Sequence, residues 1–255
     1  MKGIKILLAI LLVGGIALNS CKKNDSGGPM YSVRMTDAPG PYAKVNIDIQ
    51  GVQLIESNGT VVTLNVHAGV YNLLNFANGL DTLIAWGNVP NGSITIEHVH
   101  LILGPNNSIE IGGQTYPIAI PAGEDVGLIF AVHQTMQGNN TIILIDFDAN
   151  QSIIDEGNGH FHCRPVIRWI DYYSHLHGAI KGRITPEHTL AIVTAEANGN
   201  FFSSGESDDG DFKIRGLAAG TYTVVITPAP PLSPRTITNV TVTADQTTDL
   251  GSVSF

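Results

Sequence analysis

The chain has 255 residues, with 13 lysines and arginines against 22 aspartates and glutamates, for a formal charge of −9. An acidic balance of this size excludes a phosphate-backbone binder, which needs clustered cations to displace counterions. With only two cysteines, one of them Cys21 near the amino terminus, the sequence offers no disulfide framework, and stability must come from apolar cores.

The amino terminus sets Lys2 and Lys5 before an apolar run, Ile6 to Leu18, and then Leu18-Asn19-Ser20-Cys21. At roughly 13 residues the run is shorter than the ~18 to 20 needed by a spanning helix. This is the pattern of a secretory signal ending in a lipobox. It resembles the leader of bacterial lipoproteins, which implies cleavage after residue 20, lipid attachment at Cys21 and retention on a membrane of the cell envelope, most simply the outer membrane. Residues 21–30, rich in Ser, Gly and polar side chains, read as a flexible tether.

Beyond the tether, 28 glycines, few charges and recurring short runs of Thr, Ile and Val point to an all-β chain. Tyr31 to Thr36 is a predicted strand stopped by Asp37-Ala38-Pro39-Gly40-Pro41. From Val45 to Ile55 the apolar alternation shifts phase at Gly51, as a β-bulge would cause. Asn58-Gly59 marks a hairpin into Val61 to Val66. Tyr71 to Phe76 reads as a short strand, and the spacing of Leu80, Leu83 and Ile84 predicts one helical turn capped by Asn78. Asn91-Gly92 opens a strand from Ile94 to Leu103. Further strands follow at Ser108 to Ile111, Gln114 to Ile120, Val126 to His133 and Thr141 to Ala149. A Gly157-Asn158-Gly159 turn then leads into a strand carrying His160 and His162. Turn signals every 8 to 12 residues, without long amphipathic helices, predict a sandwich or Greek-key arrangement.

The pattern breaks at residues 171–177, taken as a linker, and residues 178–255 contain a second series of about seven short strands. The fold class expected is therefore all-β, with two β-sandwich or Greek-key domains in tandem, the first larger and carrying one short helix.

Three His-x-His pairs occur: His98/His100, His160/His162 and His175/His177. On a strand, residues two apart share a face, so each pair could offer two imidazoles to Zn or Cu, although a site needs further ligands. The competing reading is that the histidines lie on the solvent face, with Val99, Leu101, Phe161 and Cys163 pointing inward. Asp37, Asp146 and Asp148 are read as structural: Asp37 in an Asx-type turn, and the other two on an exposed strand face. With Asn150 nearby a Ca²⁺ site is conceivable, but the bland reading is preferred. The loop Glu206 to Asp211 lacks the spacing of a calcium loop, and Asp209-Gly210 reads as a turn. No nucleophile elbow, zinc-protease motif or phosphate loop occurs, so no catalytic residue is assigned.

The blocks M-T-D-A-P-G at Met35 to Gly40, L-I-L-G-P-N-N-S-I at Leu101 to Ile109, Y-P-I at Tyr116 to Ile118, D-F-D-A-N-Q-S-I-I at Asp146 to Ile154, G-N-G at Gly157 to Gly159 and R-P-V-I-R at Arg164 to Arg168 run in order through residues 31–170. In them this region resembles a bacterial lipoprotein domain of unknown function, number 4382. The resemblance implies an envelope setting and a β fold, and no activity. Residues 178–255 carry G-x-I-x-G-R-I at Gly178 to Ile184, D-G-D-F at Asp209 to Phe212 and G-L-A-A-G-T-Y-T-V at Gly216 to Val224. They resemble a carboxypeptidase regulatory-like domain, which implies a transthyretin-like sandwich related to carbohydrate-binding-like folds, with Tyr222 in its core.

The function expected is a lipid-anchored envelope protein, periplasmic or surface-exposed, that binds a glycan or another envelope protein and uses no cofactor. A metal-binding lipoprotein using the histidine pairs is the alternative, and a glycan-active enzyme with two distant carboxylates is the third reading.

Overall fold

The computed structural model describes residues 28–38, 42–90, 95–120, 127–136, 138–172, 177–205 and 210–255. The signal segment, Cys21, the Asn91-Gly92 turn, His175, most of the predicted linker and residues 206–209 lie outside them. Among the described residues, no helix is long and apolar enough to cross a membrane.

Fourteen strands build the first unit: β1 (Met30–Ala38), β2 (Lys44–Glu56), β3 (Val61–Thr63), β4 (Asn65–Val66), β5 (Gly69–Asn72), β6 (Thr82–Asn88), β7 (Thr95–Leu103), β8 (Ser108–Ile111), β9 (Gln114–Ala119), β10 (Leu128–Thr135), β11 (Asn140–Asp148), β12 (Ile153–Gly157), β13 (His160–Cys163) and β14 (Ile167–Asp171). A five-stranded sheet, ordered β14-β11-β1-β6-β4, faces a larger sheet ordered β10-β7-β2-β8-β9-β13-β12, with β3 and β5 also paired to β2. Alternate side chains of the two sheets, among them Tyr31, Val33, Ile47, Leu54, Ile96, Val99 and Phe147, close over one core. Each fully buried side chain of this size contributes roughly 1.5–3 kcal/mol. Cys163 is part of that core.

The register of β2 against β7 shifts between Ile49 and Gly51, so the phase change in the sequence is a bulge. Beyond Asn58 and Gly59 the chain turns back as β3 along β2. The helical turn expected at Leu80 to Ile84 is not formed. Those residues lead into β6, which pairs with β1 through a register irregularity between Val33 and Arg34 that mimics helical spacing. The 3-10 turn sits earlier, at Leu73–Phe76, where the Asn72 side chain accepts from the Leu74 N–H. A four-residue helix, α1 (Ala149–Ser152), begins at Asp148, whose carboxylate accepts from the Gln151 N–H at 2.9 Å.

Seven strands build the second unit: β15 (His177–Thr185), β16 (Ala191–Ala197), β17 (Asn200–Gly205), β18 (Asp211–Ala218), β19 (Gly220–Pro228), β20 (Arg235–Val242) and β21 (Thr247–Ser254). A three-stranded sheet, β18-β15-β21, packs on a four-stranded one, β17-β16-β19-β20, around Ile180, Phe212, Leu217, Tyr222 and Val224. A Cβ on Gly182 would lie 2.7 Å from Phe212 Cζ, so the missing side chain is what lets the ring fill the space. Tyr222 donates its hydroxyl to the Ala218 carbonyl at 3.0 Å. The chain is thus an all-β tandem of two sandwiches.

Candidate binding site at the domain junction

The outer face of the five-stranded sheet is where the two units meet. Strand alternation puts Arg34 and Thr36 of β1, Leu144 and Asp146 of β11, and Arg168 and Ile170 of β14 on that face, and the registers place Thr36, Asp146 and Arg168 in one row. Arg168 pairs with Asp146 at 2.5 Å and also donates to the Arg215 carbonyl of β18 at 2.9 Å. Its guanidinium lies 4.6 Å from the centre of the Phe202 ring. Arg215 reaches back, donating to the Gly79 carbonyl at 2.9 Å and to Asp81 at 3.2 Å, while the other Asp81 oxygen takes Arg34. The Arg34 and Arg215 guanidinium groups lie 5.7 and 5.9 Å from the centre of the Tyr172 ring. Gly216 leaves the space occupied by Ile170, which a Cβ there would strike.

This clasp creates clefts. One, about 420 Å³, opens over the outer face of β18-β15-β21 and is lined on one side by Asn78 of the first unit; a second holds about 200 Å³. Lys213 lines both, and a third, smaller one beside Asp146 and Arg168. Burial, then Arg215 and Lys181, hold the Lys213 ammonium below its ordinary value. Of the nine lysines and arginines beyond residue 27, six (Arg34, Arg168, Lys181, Arg183, Lys213 and Arg215) sit at this junction, in a chain that is acidic overall.

Asp146 and Asp148 are corrected from the sequence reading. Both are buried, at 3% and 7% exposure: the second unit covers the strand face at Asp146, and Asp148 turns its carboxylate to the start of α1, bonding the Gln151 N–H and side chain. Burial pushes the Asp146 carboxyl up, and the neighbouring Arg168 only partly offsets it. Asp37 is likewise within β1 rather than a turn, and it accepts from the N–H of Ala149, 112 residues away.

The histidine pairs do not converge. His98 and His100 lie on β7 and His160 and His162 on β13, with β2, β8 and β9 between them, on the order of 19 Å at one strand spacing per step. His100 contacts Gln53 at 3.2 Å, His98 lies edge-on to His133, and His162 pairs with Glu156 at 2.9 Å. Among the described residues, no group of three or more His, Cys, Asp or Glu is placed to hold a metal ion. A single site of four imidazoles is therefore not assembled, because three intervening strands set a spacing that no side chain spans.

Three residues escaped the sequence reading. Lys213 and Arg215 are two cations at strand spacing in an acidic chain, a signal that was available. Asp48 is the third. Its carboxylate accepts from the Asn106 N–H at 3.1 Å and the Asn106 side chain at 2.8 Å, its own N–H donates to Asn107, and its carbonyl accepts from Gly104. The L-I-L-G-P-N-N-S-I block is thus a loop wrapped on a buried acid.

The family model described as Domain of unknown function (DUF4382) matches residues 30–165. The chain belongs to that family. The DUF4382 region therefore supplies the clasp's Asp146 and Asp81, and Arg168 follows just beyond its end. No curated protein matches the chain. Among solved structures, an interface mutant of a type II cohesin-X-dockerin complex from Acetivibrio cellulolyticus matches at 36% identity over 29% of this chain and 52% of that one, with a TM-score of 0.24. The chain thus spans about half the length of the first solved structures it matches. The minor pilin GBS52 of Streptococcus agalactiae matches at 9% identity over 88% of this chain and 94% of its own, with a TM-score of 0.25. The Bacillus anthracis TIE protein matches at 12% identity over 89% and 34%, also with a TM-score of 0.25.

Proposed function

We propose that this DUF4382 protein is a non-enzymatic binding module held on a bacterial envelope through lipid at Cys21, and that its ligand docks at the junction of the two sandwiches. The observation that carries this is Lys213, which lines all three clefts and, unlike Arg34, Arg168, Lys181, Arg183 and Arg215 around it, has no acidic partner among the described residues. A cation left without a counter-charge in a cleft attracts and holds an anionic group, most strongly where water is partly excluded. The second sandwich is read as the carboxypeptidase regulatory-like, transthyretin-like module that its Gly178 to Ile184 and Gly216 to Val224 blocks resemble, here forming one wall of the site.

Two measurements test this. Metabolic labelling with a radioactive fatty acid should mark the wild-type chain and not Cys21→Ala; equal labelling of both removes the anchor. The purified full chain should co-sediment with isolated envelope material in a salt-sensitive manner, and failure to sediment at low ionic strength removes the binding function.

A further inference from the structure

The 420 Å³ cleft has a chemistry that narrows its ligand. Its floor is the outward face of β18-β15-β21, where Lys181 stands opposite Lys213 on one side and Asp249 on the other, and Arg183 stands opposite Asp211. Lys181 pairs with Asp249 at 3.1 Å, and Arg183 grips Asp211 with two hydrogen bonds of 2.7 and 3.2 Å. Two cations are thereby matched by two acids. Lys213 is the cation left over: among the described residues it has no acidic partner, Lys181 stands opposite it, and both Arg215 and Lys181 act on it as like charges. The cleft therefore carries one unmatched positive charge beside two ion pairs whose residues line it.

That inventory suits a ligand with a single carboxylate and several hydroxyls. The carboxylate supplies the counter-charge that Lys213 lacks, in a charge-assisted hydrogen bond. Hydroxyls both donate and accept, so they can bond Asp211 and Asp249 as acceptors and Arg183 and Asn78 as donors. Asp211, held down first by the Arg183 hydrogen bonds, and Asp249, held down first by the Gly251 N–H, stay ionised as acceptors at neutral pH. A phosphate or sulfate dianion would meet two carboxylates for one free cation, and a neutral sugar would leave Lys213 unmatched. A peptide is disfavoured because peptide sites rely on buried apolar or aromatic anchors, whereas Phe212, the one apolar side chain in this wall, is 1% exposed. The volume lies within the roughly 300–1,000 Å³ of small-ligand sites.

We propose that this cleft is a subsite for a uronic-acid residue of an acidic glycan, its carboxylate on Lys213 and its hydroxyls on Asp211 and Asp249. The inference rests on the reading of the chain as an envelope binding module. Its test is calorimetric titration of the full chain with a galacturonate tetramer, a neutral galactose tetramer and an acidic tetrapeptide. Saturable binding of the galacturonate tetramer is expected, with no saturable binding of the other two. Lys213→Gln should weaken it by about tenfold or more, the value of one charge-assisted hydrogen bond, while Lys213→Arg and the distant Lys44→Gln should bind as the wild type does. Galacturonate binding that Lys213→Gln leaves unchanged, no galacturonate binding at all, or tighter binding of the peptide each overturns the proposal. If the chain sediments with envelope material while any of these results holds, the uronate subsite alone is lost; if it sediments with nothing, the binding module itself is.

Discussion

Arg168 and Asp146 form an ion pair at 2.5 Å on adjacent strands of the first sandwich, and the same guanidinium holds the Arg215 carbonyl of the second. One side chain thus neutralises a buried acid and fixes how the two units meet. Removing one partner of such a pair strands the other charge, at a cost of about 3–5 kcal/mol. Arg168→Ala should therefore lower the unfolding free energy of the full chain by about that amount in urea titrations. The double variant Arg168→Met with Asp146→Leu should recover most of the loss, because no unpaired charge remains.

The two buried aspartates should respond oppositely to pH. Burial raises the Asp146 carboxyl above its unfolded value of about 3.9. Its contribution is then fully present below that pH and is lost as pH rises through the folded value. For Asp48, burial pushes up, but hydrogen bonds from Gln50 and from the Asn106 backbone and side chain win and hold it low. Its contribution is present above about pH 3.9 and is lost as pH falls through the folded value. Measured from pH 3 to 7, the stability of wild type relative to Asp146→Asn should fall with rising pH, and relative to Asp48→Asn it should rise.

Gly104 leaves the room that Asp48 needs, since a Cβ there would strike the carboxylate. Gly104→Ala should cost about 1–3 kcal/mol through overpacking. For a chain of this size that is a fall in melting temperature of about 2–4 °C per kcal/mol. Thermal unfolding measures it, and exposed Gly220, where a Cβ would make only an ordinary contact of 3.9 Å with Tyr222, is the comparison position.

Glu56 is an uncompensated acid. It is 2% exposed, and among the described residues neither carboxylate oxygen has a hydrogen-bond partner. A buried polar group left unsatisfied costs about 1–3 kcal/mol. Glu56→Met should stabilise the chain by about that amount in chemical denaturation.

The fold was legible where it depended on local chemistry. Gly51 announced its bulge through a phase shift, Asn58-Gly59 announced a hairpin, and the inward alternation of Phe161 and Cys163 survived intact. Leu80, Leu83 and Ile84 misled because Ile84 is an extra residue in β6, skipped between the Val33–Ala85 and Arg34–Leu83 pairs, so the apolar spacing departs from strict alternation and resembles a helical turn. Asp146 misled for a different reason. Alternation identifies the side of a strand opposite the core but not what covers it, and here a second sandwich does. The junction cations were hidden in the same way: Lys181 and Lys213 are 32 positions apart, and only the pairing of β15 with β18 sets them opposite each other.

Hydrogen-exchange protection of the full chain on adding soluble acidic glycan from envelope material tests most directly whether the junction is the binding surface. Protection should appear at residues 78–81, 181–183 and 211–215, and be absent from the β7 and β10 face that bears His98 and His100. Protection confined to that histidine face, with residues 211–215 exchanging as in the free chain, would contradict the account.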